Sequence, residues 1–462
     1  MLRVAIAALL IAAGPLAAPV AAEERMPQSR AEISLSFAPL VREAAPAVVN
    51  IYARRVVERR SPFADDPVFG DFFRNFAPGR PRVQNSLGSG VILSADGIVV
   101  SNYHVVGEAE DIRVVLNDRR EYAARVLLGD AESDLAILKL EGASDMPHLD
   151  LRGSDGVEVG ELVLAIGNPF GVGQTVSSGI VSGLARSGTA TGNGRGYYIQ
   201  TDAPINPGNS GGALIDVTGR LIGVNTSILS RSGGSNGIGF AIPADLVAQF
   251  VAQAEAGRDS FARPWAGLTG QPVDADLSES LGQGVPQGVL ISAVHPESPF
   301  AAAGLEPGAL IVEVDGLPVN TPAEMIYRLS VRGIGAESTV TVARRGETRE
   351  ITVPLIAAPE RPPRETVSLG EREVLPGLRA ARVNPALIEE MDLPLTSAGV
   401  VVLDPGRWGA RAGLRAGDLI RGVNGAPIER PGELGRALRS AAPRIAIELE
   451  RGGRTRILRF RL

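Results

Sequence analysis

The chain has 462 residues, of which 44% are hydrophobic and 21% are charged. This composition is ordinary for a soluble globular protein, and the length is too great for one core, so about three domains are expected. The formal net charge of -6 gives no reason to expect nucleic-acid binding, and zero cysteines with three widely spaced histidines argue against a metal site. We expect no cofactor.

Residues 1–22 differ in kind from the rest of the chain. Arg3 supplies a positive charge, residues 4–16 form an apolar run, and the small residues 20–22 precede Glu23. This pattern predicts a cleaved secretory signal peptide and therefore export. The alternative is an uncleaved membrane anchor, which the short run broken by glycine and proline disfavours.

The next segment changes from regular to irregular. Residues 31–57 begin like a helix and continue as an apolar strand at 47–52. Between 58 and 86, prolines and arginines alternate with phenylalanines, which does not fit a strand. We therefore predict a long loop at 58–86, of the length that tends to be functional or disordered.

From 87 to about 250, short apolar runs alternate with glycine-rich turns. Many short strands with almost no helical periodicity predict a mainly β fold, as one closed barrel or a pair of barrels. Residues 244–256 form the first clear amphipathic helix, and 258–264 are predicted to be a linker.

The C-terminal part contains an internal repeat. Residues 303–320 align without gaps to 412–429, with 9 of 18 positions identical and a constant offset of 109. A proline-rich stretch at 359–363 separates the copies. Two units of about 90 residues indicate two homologous small domains.

The strongest chemical motif is Gly208-Asn209-Ser210-Gly211-Gly212. A serine between glycines in a tight turn exposes its Oγ, and the turn can point the N–H groups of Gly208 and Ser210 at one spot. Such a spot is an oxyanion hole, which stabilises charge that develops in the transition state. The alternative is a glycine-rich hairpin with an incidental serine.

A serine hydroxyl needs a base, and the base needs an orienting carboxylate. His104 ends an apolar strand where a loop can present it, and Asp134 precedes a fully apolar strand. We predict a triad of His104, Asp134 and Ser210. The weaker candidates, whose contexts resemble turns or the repeat, are His148, His295, Asp130 and Asp145.

The chain order His, Asp, Ser is that of the chymotrypsin-type double barrel. From 31 to 462 the chain resembles the HtrA/Deg family of envelope serine proteases, and both repeats look like PDZ domains. The resemblance implies a protease domain at 31–257 and PDZ domains at 265–357 and 366–462. The matching blocks are 88–92, 102–106, 134–136, 167–170, 200–214 and 239–243.

The resemblance also implies where substrate binds. A trypsin-like carboxylate would stand six residues before the nucleophile, and that position is Pro204. The expected pocket walls are Ile205, Ile238, Gly239 and Phe240, which favour a small aliphatic residue such as Val or Ala. The oxyanion loop is Gly208, Asn209 and Ser210. The loops expected to capture peptide C-termini are Ala266, Gly267 and Leu268 in the first copy and Pro376, Gly377 and Leu378 in the second.

The expected function is secreted endoproteolysis of unfolded or misfolded envelope proteins, with unfolded polypeptides and peptide C-termini as partners. The alternative is a chaperone or scaffold that holds unfolded chains, with cleavage secondary. A small-ester hydrolase is a distant third. The resemblance further implies a periplasmic location and a homo-oligomer, a trimer or multiples of it, formed through 58–86. The arginine-rich second copy could favour peripheral contact with a membrane.

Overall fold

The computed structural model describes residues 36–57, 82–168, 173–187, 197–206, 208–228, 237–282, 284–344 and 346–461. The predicted signal peptide at 1–22 and most of the predicted loop at 58–86 lie outside these ranges. Within them, no helix has both the length and the apolar character that crossing a bilayer requires. The fold is mainly β, which confirms the predicted class.

A short helix, α1 (Ala38–Ala44), leads into the first closed barrel, whose strands follow the order β1-β2-β3-β6-β5-β4. Its interior is a cluster of buried aliphatic side chains, such as Ile51 and Leu138. A one-turn helix, α2 (Tyr103–Val106), follows β3. The strands are β1 (Val48–Val57), β2 (Arg82–Ile92), β3 (Ile98–Ser101), β4 (Asp111–Val115), β5 (Glu121–Asp130) and β6 (Leu135–Leu140).

Strand β2 corrects one prediction. It pairs with the whole length of β1, from Val57 opposite Arg82 to Val48 opposite Val91. Residues 82–86 are therefore strand, and the prediction that the loop extends to residue 86 is wrong there. The pairing with β1 decides the conformation, and a partner strand outweighs local composition.

The second closed barrel has the order β10-β11-β12-β9-β8-β7. Its interior contains Val163, Ile199 and Leu214 among other buried side chains. Together the two barrels confirm the predicted pair. The strands are β7 (Leu162–Gly167), β8 (Thr175–Ser187), β9 (Tyr197–Thr201), β10 (Ala213–Asp216), β11 (Leu221–Ile228) and β12 (Gly239–Pro243).

A helix closes the double barrel. The predicted helix at 244–256 is confirmed as α3 (Ala244–Glu255), which buries Val247 and Phe250 against the barrels. Phe261 stacks on Phe250 with ring centroids 3.9 Å apart. The predicted linker at 258–264 is thus packed against the protease half at this point.

The first repeat unit has its own core and a sheet of order β13-β14-β15-β17-β18, with β16 paired to β15. Its strands are β13 (Leu268–Pro272), β14 (Val289–Val294), β15 (Leu310–Val314), β16 (Leu317–Pro318), β17 (Glu337–Arg344) and β18 (Glu347–Pro354). Its helices are α4 (Ala275–Ser280), α5 (Pro299–Ala302) and α6 (Pro322–Arg332).

The second repeat unit follows the same plan with one added strand at the edge, in the order β19-β20-β21-β22-β24-β25, with β23 paired to β22. Its strands are β19 (Val367–Ser368), β20 (Arg379–Arg382), β21 (Val400–Asp404), β22 (Leu419–Val423), β23 (Ala426–Pro427), β24 (Arg444–Arg451) and β25 (Arg454–Arg461). Its helices are α7 (Pro385–Glu390), α8 (Gly406–Arg411) and α9 (Leu434–Ala441).

Candidate active site

The structure brings His104 and Asp134 into direct contact. The imidazole Nδ1 lies 2.9 Å from Oδ1 and 2.8 Å from Oδ2 of the carboxylate, and the main-chain N–H of His104 donates to Oδ1 at 3.0 Å. A proton on Nδ1 satisfies this contact and leaves Nε2 free to accept a proton. The His104 side chain is 51% exposed and that of Asp134 is 18% exposed, so the base faces solvent while its partner is sheltered.

Local backbone geometry places the carboxylate. Asp134 lies between β5 and β6 with φ of +54°, a left-handed conformation that aspartate tolerates better than most residues. Its carbonyl accepts hydrogen bonds from the N–H of Tyr103 at 3.1 Å and from Nδ2 of Asn102 at 2.9 Å. The turn before β6 is thereby tied to the start of α2, which carries His104.

The loop that carries Ser210 is attached to the first barrel through Ser89. The N–H of Ser89 donates to the carbonyl of Ser210 at 2.8 Å, and its Oγ donates to the carbonyl of Gly208 at 2.7 Å. Gly211 has φ of +85°, and a Cβ there would lie 2.1 Å from the carbonyl oxygen of Ser89. Only glycine fits so close an approach.

The N–H groups of the predicted oxyanion loop differ in whether they already donate a hydrogen bond within the described residues. The N–H of Asn209 donates to the carbonyl of Asn206 at 2.9 Å, so the inclusion of Asn209 as an oxyanion donor needs correction. Within the described ranges, the N–H groups of Gly208 and Ser210 make no hydrogen bond. The available donors are those two, separated by one residue.

The hydroxyl of Ser210 does not point its proton at the base. Its Oγ donates to the main-chain carbonyl of Thr226 at 2.9 Å. A hydroxyl has one proton to donate, so proton transfer to His104 requires that the side chain turn away from Thr226.

Thr226 is a site residue that sequence reasoning missed. Its Oγ1 donates to Oδ2 of Asp134 at 2.6 Å, while its carbonyl accepts from Ser210. One residue at the end of β11 therefore touches both the predicted nucleophile and the predicted carboxylate. The available signal was the polar pair Asn225-Thr226 at the end of an apolar run.

The weaker candidates lie elsewhere. Asp130 is bound by Arg263, whose Nη2 lies 2.5 Å from Oδ2 and 2.7 Å from the Oγ of Ser133. His148 Nδ1 lies 3.0 Å from the carbonyl of Met146, and His295 packs edge-on against Trp265 in the first repeat unit. Asp145 has φ of +52°, as in a turn.

The predicted pocket walls separate into two faces. A Cβ on Gly239 would lie 2.7 Å from Cδ1 of Ile205, so these two residues face each other. Phe240 is the next residue along β12 and is only 2% exposed, with its ring edge-on to Tyr198 in the cluster under α3. Since side chains alternate along a strand, Phe240 points away from Ile205, and the half-buried Ile238 also packs against that cluster.

In the part of the chain that the structure describes, no carboxylate stands at the position expected to pair with a basic substrate side chain. Pro204 occupies the position six residues before Ser210, and its carbonyl accepts from the Oγ of Ser177 at 2.6 Å. The Oδ1 of Asp202 accepts from the N–H of Ile180 at 2.7 Å, which holds this carboxylate against β8.

The two predicted peptide-capturing loops differ in their free donors. In the first repeat unit, the N–H groups of Ala266 and Gly267 make no hydrogen bond within the described part of the chain, and Leu268 begins the edge strand β13. In the second, Pro376 has no N–H, the N–H of Gly377 donates to Leu369 at 2.9 Å, and that of Leu378 donates to Leu375 at 3.2 Å.

Three family models match the chain, in the same order as the double barrel and the two repeat units. A trypsin-like peptidase domain matches residues 88–224, and PDZ domains match 263–355 and 399–451. The peptidase match spans the segment that contains His104, Asp134 and Ser210. The two PDZ matches fall on the repeat units.

Similar proteins cover nearly the whole chain. The probable periplasmic serine endoprotease DegP-like of Halomonas elongata is 38% identical over 86% of each chain. The periplasmic pH-dependent serine endoprotease DegQ of Escherichia coli is 35% identical over 92% of this chain and 91% of that relative. The probable periplasmic serine protease do/HhoA-like of Haemophilus influenzae is 36% identical over 90% of each.

Solved structures agree with the sequence matches. The HtrA-type protease AlgW with a decapeptide has a TM-score of 0.52 and 40% identity, covering 70% of this chain and 99% of that one. The same protease with a tripeptide has a TM-score of 0.53 and 38% identity, covering 70% of this chain and 98% of that one.

Proposed function

The chain belongs to the HtrA family of periplasmic serine endoproteases, and from this premise we propose that it cleaves unfolded or misfolded envelope polypeptides. Ser210 is the nucleophile, His104 the general base and Asp134 the orienting carboxylate. The observation that carries the proposal is the contact of His104 Nδ1 with both carboxylate oxygens of Asp134.

The chemistry follows from these three side chains. Nε2 of His104 removes the proton from Ser210 as Oγ attacks the scissile carbonyl, and the resulting imidazolium is stabilised by the Asp134 carboxylate. The imidazolium then protonates the leaving amine, which breaks the peptide bond and leaves an acyl-enzyme. Water, deprotonated by the same imidazole, hydrolyses the ester and regenerates Ser210.

The tetrahedral oxyanion forms next to the unoccupied N–H groups of Gly208 and Ser210. Preorganised donors of this kind are worth about 3–4 kcal/mol each where one has been removed. Asn209 carries no charge, so it cannot form the ion pair with a newly formed N-terminal amine by which digestive proteases are activated. We therefore propose that the chain is not activated by zymogen cleavage.

Substrate preference follows from the pocket residues. Ile205 and Gly239 face each other as an apolar pair, and Pro204 replaces a carboxylate at the expected pocket base. We propose cleavage after small aliphatic residues, and such pockets discriminate by only about 1–3 kcal/mol per methylene. Weak discrimination suits a protease that meets many different unfolded chains.

Export, oligomer formation and the binding of peptide C-termini complete the proposed function. We propose that residues 1–22 direct export and are removed, that the chain forms a homo-oligomer, and that the first PDZ domain binds peptide C-termini through Ala266 and Gly267. The free N–H groups of that loop and the edge strand β13 support the last point, since PDZ ligands extend a sheet edge and place a carboxylate on such donors.

Digestion of unfolded casein tests the proposal directly. Ser210→Ala should retain the fold and lose at least about 99% of cleavage, since triad losses reach about 10⁶-fold in a serine protease. Ser94→Ala, which alters a half-buried serine in the turn between β2 and β3, is the control and should cleave normally. A fluorophosphonate probe should label Ser210 in the wild type alone. Equal digestion by both variants would disprove the assignment, and full suppression of casein aggregation by an uncleaving wild type would favour the chaperone alternative.

A further inference from the structure

The two PDZ domains differ at the sheet edge that receives a peptide. In the first, β13 is the outermost strand of the described sheet. In the second, the corresponding strand β20 already has a neighbour. β19 pairs with it in antiparallel fashion, with Val367 opposite Ala380 and Ser368 opposite Arg379. The edge that would accept a ligand is therefore paired with the domain's own chain.

Leu369, the next residue, makes the main-chain contacts of a ligand's last residue. Its N–H donates to the carbonyl of Leu378 at 2.9 Å, and its carbonyl accepts from the N–H of Gly377 at 2.9 Å. Gly377 and Leu378 belong to the loop that would capture a terminal carboxylate. The carbonyl of Leu369 thus stands in for one carboxylate oxygen of a bound peptide.

The Leu369 side chain also lies where the last side chain of a bound peptide would lie. It is 8% exposed and joins the core cluster of the second domain. It faces Gly435 on α9, where a Cβ would lie 3.4 Å from Cδ2 of Leu369. By the repeat offset of 109, Gly435 corresponds to Ile326 of the first domain. Helix α9 therefore has no side chain at the point where Leu369 packs, whereas α6 has an isoleucine at the corresponding position.

Ion pairs flank the segment on both sides. Before it, Glu365 pairs with Arg382 at 3.1 Å; after it, Glu373 pairs with Arg439 of α9. All four side chains are at least a quarter exposed, and such pairs contribute about 0–1 kcal/mol each. These pairs favour the observed register of residues 367–369, but they are weak enough for the segment to leave the sheet edge.

Among the described residues, no segment pairs with β13 on its outer side, because the chain before the first domain's loop is engaged elsewhere. Phe261 stacks on Phe250 of α3, and the N–H of Ala262 donates to Oε1 of Gln253 at 2.8 Å. This segment packs on the protease domain and does not run along β13. The same fold thus has an open edge in one copy and a filled edge in the other.

We propose that the second PDZ domain contains a groove for an extended peptide that ends in a free aliphatic residue such as leucine, and that residues 367–369 occupy it as an internal ligand. An external peptide gains access only when this segment leaves. Its apparent affinity is the intrinsic affinity multiplied by the fraction of domains that are open. The internal segment is favoured because tethering supplies an effective concentration of about millimolar or more.

The experiment uses the full chain with Ser210→Ala, so that the probe is not digested and the result does not depend on proteolysis. The probe is a fluorescent peptide that ends in Val-Ser-Leu with a free carboxylate and carries a photo-crosslinker. Leu369→Ala weakens the internal ligand and should create an added binding phase at least about tenfold tighter than that of the parent. Its crosslinks should map to 376–382 and 434–441.

The control is Leu458→Ala, which shortens a half-buried leucine packed against the same core but outside the groove. It should leave probe binding unchanged. Crosslinks confined to the first PDZ domain in a folded Leu369→Ala protein, with unchanged affinity, would overturn the proposal. So would an equal gain in the Leu458→Ala control.

A second measurement requires no substitution in the groove. In hydrogen exchange of the parent protein, the amide of Leu369 should be protected, because it donates to Leu378. Millimolar probe should raise exchange at 367–369 while 378–382 stay protected, since the probe replaces the segment. The same peptide with an amidated C-terminus should have a weaker effect. Unchanged exchange at 367–369 under millimolar probe would refute displacement even if Leu369→Ala failed to fold.

Discussion

Tyr197 of the second barrel stacks on Tyr327 of the first PDZ domain, with ring centroids 3.8 Å apart and planes 8° from parallel. Tyr327 lies on α6 but belongs to the apolar cluster of the protease domain. Burial raises the pKa of its hydroxyl well above the usual value, as expected for a ring enclosed between domains. On the same helix, Arg328 pairs with Asp155, and the carbonyl of Val331 accepts from Gln249 of α3 at 3.0 Å. Helix α6 thus contacts the protease directly.

Tyr327→Ala should loosen this contact without unfolding either domain, because the ring is not part of the first PDZ core. Limited proteolysis should cut residues 258–265 faster, and any stimulation of casein cleavage by a PDZ-binding peptide should fall. A peptide bound to the PDZ domain can shift the protease from one state to another only if the contacts between the two domains differ in those states. Tyr327→Phe keeps the ring and should behave like the wild type. Unchanged linker cleavage and stimulation in Tyr327→Ala would contradict this role.

Asp134→Asn tests the orienting carboxylate. The amide keeps the shape but can donate to Nδ1, which favours the tautomer that places the proton on Nε2. We expect kcat for a peptide substrate to fall by up to about 10⁴-fold with an unchanged thermal midpoint within about 2 °C. Near-normal turnover would remove Asp134 from the mechanism.

Thr226→Val removes the hydroxyl that donates to Asp134 while keeping the main-chain carbonyl that accepts from Ser210. A hydrogen bond to a charged group contributes about 1.5–3 kcal/mol, and about 1.4 kcal/mol is tenfold in rate, so kcat should fall roughly ten- to hundredfold. KM should change little, since the hydroxyl faces Asp134. The matched control is Thr218→Val, which removes a similar threonine–aspartate hydrogen bond (2.7 Å, to Asp216) away from the site. Equal losses in both variants would indicate a structural effect only.

Features that depend on residues close together in the sequence were predictable, and features that depend on residues far apart in the sequence were not. The turn at Ser210 and the helix α3 follow from local glycine spacing and 3.6-residue periodicity, so both were predictable. Thr226 was missed because its partner Asp134 is 92 positions away, in the other barrel. The strand at 82–86 was missed for a similar reason, since only pairing with β1 reveals it.

The groove of the second PDZ domain shows the same limit. Its strand β19 has two residues, too few for any periodic signal, and the family resemblance assigns Pro376–Leu378 the same role as Ala266–Leu268. Apart from Pro376, which lacks an N–H, the two loops are distinguished by hydrogen bonds that only the structure shows, such as the one from Gly377 to Leu369. Homology within the chain therefore predicted the fold of the second copy better than the state of its binding edge.

Specificity can be tested at Gly239. Peptide libraries should show cleavage mainly after Val, Ala or similar residues. Gly239→Ala places a methyl group 2.7 Å from Cδ1 of Ile205, which narrows the pocket and should lower the Val-to-Ala preference by about tenfold. Gly156→Ala adds a methyl group with no heavy atom within 4 Å and serves as the control. A preference for Lys or Arg, in either the wild type or the variant, would refute the pocket assignment.

Arg152 should govern the acid stability of the second barrel. Its guanidinium lies 2.6 Å from Glu161 and 3.2 Å from Asp216, whose side chain is 2% exposed. The hydrogen bond from Arg152 lowers the pKa of Glu161. Burial opposes ionisation of Asp216, but hydrogen bonds from Thr218, Arg220 and Arg152 outweigh it, so its pKa is also lowered.

Carboxyls with lowered pKa values stabilise the fold above their unfolded-state pKa values of about 4, and this contribution is lost as the pH falls through the folded-state values. Arg152→Met leaves the buried Asp216 with the more exposed Arg220, 3.6 Å away, as its remaining cation, and should cost roughly 1–3 kcal/mol at pH 7. The cost should shrink as the pH falls below about 4, because protonated carboxyls no longer need the arginine. Urea unfolding of wild type, Arg152→Met and the surface control Arg120→Met from pH 7 to pH 3 measures this. A cost for Arg152→Met that stays constant over that range would show that the ion pairs contribute nothing to acid stability.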